Sequence, residues 1–95
     1  LLTDPTELKL ARRISRFPET IEKAARETAP HLLVYYAEEL AEAFHSFYNA
    51  CHIKGAEADV RSARILLMEA AHVTLANALR LLGVSAPERM SRQND

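Results

Sequence analysis

The stretch ADVRSARILLMEAAHVTLANALRLL, residues 58–82, is the longest apolar passage in the chain. Val60, Ala63, Leu67, Ala71, Thr74, Ala78 and Leu81 follow one another at steps of three and four, the stripe of an α-helix. Leu66, Ala70 and Val73 widen that stripe well beyond one face. A helix apolar over most of its circumference needs several neighbours, so this one is expected at the centre of the fold. Gly83 follows as a plausible C′ residue.

Working outward, three more helices precede it. Asp4 and Pro5 supply a cap and a first-turn proline, and Leu10, Ile14 and Phe17 then fall on one face. Pro18 ends or kinks this helix and can open the next, a shorter one with Ile21, Ala24 and Ala25 inward. Pro30 separates that from a long third helix, and the segment opening KGA is the clear loop. The spacing predicts an all-α bundle of four main helices at about 4–17, 18–28, 31–52 and 58–82, with an irregular tail over 83–95. The whole of 1–95 reads as a single domain. No strand pattern, repeat or low-complexity tract interrupts it.

Composition narrows the function. The chain has 95 residues, 48% of them hydrophobic, enough for one core near the low end of independent folding. A net charge of −1 excludes nucleic-acid binding by bulk electrostatics, so any such binding must be local. One cysteine cannot close an intramolecular disulfide, which favours a reducing compartment. No unbroken run of 18 apolar residues is present, so no membrane span and no membrane partner are expected. The chain opens LLTDPTELK without an initiator methionine, as a piece of something larger would.

The third helix holds the chain's oddest stretch, AEAFHSFYNACH, residues 41–52. With Leu40 as the wheel's origin, Leu33, Ala37, Phe44, Cys51, Tyr36 and Phe47 form the core stripe, all within about 60°. Tyr48, His52 and His45 fall at about 80°, 120° and 140°, on a shoulder between core and solvent. Tyr48 and His52 stand four apart, so their rings can adjoin. Flat, hydrogen-bonding rings on a half-buried shoulder suit an unstacked nucleobase. Spacing alone equally fits a tyrosine that covers the core edge with its hydroxyl in water.

Other combinations are weaker. Glu42–His45 and Glu69–His72 have the Glu-x-x-His spacing of carboxylate-bridged metal bundles. Both carboxylates point about 160° away from their core stripes, and no inward Glu is expected elsewhere, so no metal site is expected. Cys51 reads as a small buried hydrophobe. Arg64 falls on the apolar stripe, where a buried stem requires a carboxylate or carbonyl partner. Lys9, Arg12, Arg13 and Arg16 share one face of the first helix and form a possible phosphate contact, or simply a solvated face. No nucleophile with its base and no glycine-rich phosphate loop is present, so no catalytic residue and no cofactor site are expected.

Taken together, PHLLVYYAEELAEAFHSFYNACHI and SARILLMEAAHVTLANALRLLGVSAPERM resemble the C-terminal anticodon-binding domain of arginyl-tRNA synthetases, the DALR domain. The likeness runs from Asp4-Pro5 to Met90, and TELKLARRISRFPETIEKAA is similar to the family's first helices. The pairing of FYNAC with LLGVSAPERM is specific; cysteinyl-tRNA synthetases carry a related helical domain but are not known for the closing ERM. The resemblance implies a bundle attached to a class I catalytic domain, gripping the anticodon of arginine tRNA, whose middle base is C. It implies a base pocket between the FYNAC helix and the ERM segment, with Tyr48, Asn49, His52, Arg89 and Met90 as tRNA-binding residues. Two features depart from the pattern: SRQND follows Met90, and His52 stands at a position that varies. ATP with magnesium and L-arginine would bind elsewhere in a full-length, cytoplasmic, monomeric enzyme, and this segment alone would not aminoacylate. The alternatives are a free-standing tRNA-binding module and a helical protein-interaction adaptor.

Overall fold

The computed structural model describes residues 4–51 and 57–85, and all its regular structure is helical. The helices are α1 (Pro5–Ser15), α2 (Phe17–Arg26), α3 (His31–Ala50) and α4 (Ala58–Ser85). His52 to Ala56 and the segment after Ser85, with Arg89 and Met90, lie outside the described residues.

The Asp4–Glu7 capping box fixes the start of α1. Asp4 Oδ1 accepts from the Thr6 amide at 2.8 Å, and Glu7 Oε1 accepts from the Asp4 amide at 2.9 Å. The Thr6 hydroxyl and amide, with help from Cys51 and Arg64, hold the Asp4 carboxyl below its usual range. Arg16 is at once the last cap of α1 and the N-cap of α2, so the two helices form one rod bent ahead of Pro18. The α2 helix ends in a Schellman pattern, with Ala29 N–H donating to Ala24 C=O and Thr28 N–H to Ala25 C=O. Thr28 takes the left-handed position, φ 51°, that glycine usually fills.

The four-helix reading holds, but the centre does not lie where the apolar content of α4 predicts. The core joins Leu10, Tyr36, Leu40, Ala43, Phe47, Cys51, Leu67 and Ala71. Most of these belong to α3 or its cap, and α3 packs against α1, α2 and α4. Among the described side chains of α4 only the narrow stripe of Leu67, Ala71, Thr74 and Ala78 is buried, while Leu66 and Val73 stand 65% and 60% exposed. The hydrophobic width of α4 therefore exceeds the partners it has among the described residues. The helix also continues through Gly83 to Ser85, so Gly83 is a helical position in open space and not a C′ residue. The α3 helix stops at Ala50, and Ala25 faces solvent.

By length and composition, α4 from Ala58 to Gly83 could cross a membrane, contrary to expectation. Here it serves as a packing helix: its small-residue stripe lies on α3, and Arg64 Nε donates to Glu7 Oε2 at 2.7 Å. Glu7, only 1% exposed, is an inward carboxylate that hydrophobic periodicity does not reveal. Arg64 and the Asp4 amide satisfy it, so the partner that Arg64 requires is present.

Candidate nucleic-acid interface

The shoulder of α3 exists because Phe47 and Phe44 differ in depth. Phe47 is fully buried, whereas Phe44, one position past the Ala43 stripe, is only half-buried. One turn further on, Tyr48 stacks on Phe44, with centroids 6.3 Å apart and planes 25° apart. The phenol is 59% exposed, so a large part of its ring is open to solvent. Asn49 and His45 are exposed beside it. From α4, His72 closes on Phe44 at 5.4 Å. A ladder of rings, Tyr48–Phe44–His72, thus bridges two helices.

In the sequence His72 stands out only through its Glu-x-x-His spacing, which gives no sign of this cluster. The wheel of one helix cannot place it, because its contact depends on how α3 and α4 lie side by side. Glu42 and Glu69, the carboxylates of the two Glu-x-x-His pairs, are exposed, as their outward wheel positions predict.

The four cations of α1 are split by their surroundings. Arg13 is half-buried and its Nη1 lies 3.0 Å from Glu39 Oε2 on α3. Its backbone carbonyl accepts from the Tyr36 hydroxyl at 2.5 Å. Burial drives the Tyr36 phenol up to about 12, against a lowering by Arg13. Lys9, Arg12 and Arg16 make no ion pair among the described residues. With Pro5, Leu8 and Arg13 they line one concavity on the outer side of α1. Arg12 and Arg13 also occupy the last turn of α1, where cations meet its dipole favourably.

Among its described residues the α-helical bundle thus carries an exposed ring ladder and a cationic groove, surfaces of the kind on which bases stack and phosphates rest. Residues 1–90 match the family described as DALR anticodon binding domain, and the chain belongs to that family. It is similar to proteins named arginine–tRNA ligase. That of Moorella thermoacetica is 49% identical over 90 residues, covering 95% of this chain and 16% of the relative. That of Carboxydothermus hydrogenoformans is 48% identical over the same shares, and that of Nitrosospira multiformis 48% identical over 94% and 15%. The chain thus spans about 16% of the length of the curated relatives it matches. No solved structure matches it significantly.

Proposed function

We propose that residues 1–95 work as one anticodon-binding domain of an arginine–tRNA ligase, gripping the anticodon of arginine tRNA at its middle C. The observation that carries this reading is the exposed Tyr48 ring, backed by Phe44 and joined through it to His72. A ring held from behind and open in front presents a stacking face without first having to be ordered. Stacking tolerates any base, so the choice of C falls to polar groups at its edge. Asn49, exposed next to Tyr48, is one; by family resemblance His52 is a second stacking ring, and Met90, beside Arg89, forms the other wall. Magnesium-bound ATP, L-arginine and the aminoacylation chemistry belong to the rest of a cytoplasmic, monomeric enzyme, whose catalytic domain is this domain's partner in the same chain.

Titration with arginine tRNA and with the same tRNA changed at the middle anticodon base tests the reading. Base stacking is worth roughly 1–3 kcal/mol by truncation, about 5- to 150-fold in affinity. Tyr48→Leu keeps apolar bulk over Phe44, so the melting temperature should hold while most of the preference for C disappears. If Tyr48→Leu discriminates as the wild type does, Tyr48 only covers the core edge. Equal binding of both tRNAs by the wild type would sink the anticodon reading itself.

A further inference from the structure

A second concavity adjoins the groove on α1 and shares Arg13 and Arg16 with it. Its other walls are Glu19, Thr20 and Lys23 of α2 and Leu32, Tyr35, Tyr36 and Glu39 of α3. It forms because the bend at Arg16 swings α2 alongside the first turns of α3. The cations run from Lys9 through Arg12 and Arg16 to Lys23, and none of these four makes an ion pair among the described residues. Against them stand Glu19 and Glu39, and Glu39 is neutralised by Arg13. At the α3 wall Tyr35 is 58% exposed, with the His31 ring set edge-on at 5.7 Å. A large exposed aromatic beside unpaired cations does not serve the core, which Tyr36 and Leu33 already fill on this side.

We propose that this track is a second RNA-binding site, taking phosphates on Lys9, Arg12, Arg16 and Lys23 and one unpaired base on Tyr35. The chemistry is that of single-stranded RNA recognition, a cationic groove that follows the backbone and a ring on which a base stacks. Tyr35 lies about 140° around α3 from Tyr48 and about 20 Å along its axis. A base on Tyr35 is therefore not the base on Tyr48; the two rings take separated nucleotides. That the RNA is arginine tRNA rests on the anticodon reading above. The track itself reads no sequence, because phosphate contacts position and stacking accepts any base.

The test measures the affinity of the chain for arginine tRNA and for its middle-anticodon variant over a range of salt concentrations. Each lost phosphate contact reduces the slope of log affinity against log salt by about 0.7 to 0.9. Arg12→Gln, Arg16→Gln and Lys23→Gln together should lower it by about 2 to 3, and weaken both tRNAs by one common factor. Tyr35→Leu should weaken both by roughly 5- to 150-fold with the slope unchanged. Glu19→Gln should tighten both, by about 2- to 5-fold for a surface charge, a gain that misfolding cannot imitate. Wild-type affinity and slope in the triple variant, or wild-type affinity in Tyr35→Leu, would overturn the proposal. The two readings fail separately. Loss of base preference in Tyr48→Leu with an inert track removes only the second site; a sensitive track with no base preference in the wild type removes only the anticodon reading.

Discussion

Glu7 and Arg64 form an ion pair whose carboxylate is buried at the junction of α1 and α4. Glu7 is 1% exposed, accepts from Arg64 Nε at 2.7 Å and from the Asp4 amide at 2.9 Å, and so fastens α4 to the start of α1. A buried charge left alone costs far more than an intact pair contributes. Arg64→Met should therefore destabilise the fold, lowering the denaturation midpoint. Adding Glu7→Gln, which keeps an acceptor for the Asp4 amide but removes the charge, should recover most of that loss. Chemical denaturation of the single and double variants gives the comparison. If the double variant is no more stable than Arg64→Met, the cost lies in lost arginine packing rather than in an orphaned carboxylate. Half of this arrangement was legible in the sequence: an arginine on an apolar stripe demands a partner. That the partner is Glu7 was not, because an acidic residue at the third position of a capped helix looks like ordinary capping, which it also performs.

For the helices, periodicity located every element and misjudged their rank. Pro5, Pro18 and Pro30 act on the local backbone, so they mark starts wherever the helices pack. The width of an apolar face records how much surface would gain from burial, not which neighbour is there to bury it. On that width α4 promised to be central, yet α3 holds the core and α4 leaves Leu66 and Val73 in solvent. Adjacent leucines make the distinction measurable. Leu67, 8% exposed, packs in the core, so Leu67→Ala should cost about 2–5 kcal/mol. Leu66, 65% exposed, should tolerate Leu66→Gln within about 0.5 kcal/mol. Equal losses at the two positions in thermal unfolding would mean that the outer face of α4 is also packed. Gly83 misled for a related reason: a glycine permits a helix end without requiring one.

For the molecule as a whole, the candidate interface was legible where one helix suffices and not where two must meet. Tyr48 and its shoulder follow from the wheel of α3, whereas His72 and the Tyr35 cleft depend on the lie of α4 and on the bend between α1 and α2. Tyr36 is another such meeting point, and it ties global stability to pH. Its hydroxyl donates to the Arg13 carbonyl, and burial holds its phenol up at about 12, above the ordinary value of 10.0. The folded state therefore keeps a proton that the unfolded chain gives up first. The stability this contributes is complete below pH 10 and is lost as pH climbs from 10 toward 12. Tyr36→Phe loses the hydrogen bond but has nothing to ionise. Near neutrality the wild type should be the more stable by about 0.5–1.5 kcal/mol, the net worth of one hydrogen bond. Between pH 10 and 12 that advantage should shrink and then reverse, because only the wild type has a phenol that unfolding sets free to ionise. Other groups titrating in this range are common to both proteins and cancel in the difference. Parallel unfolding curves measured from pH 7 to 12 decide it, and a constant gap across the whole range would show that Tyr36 ionises as easily in the fold as out of it.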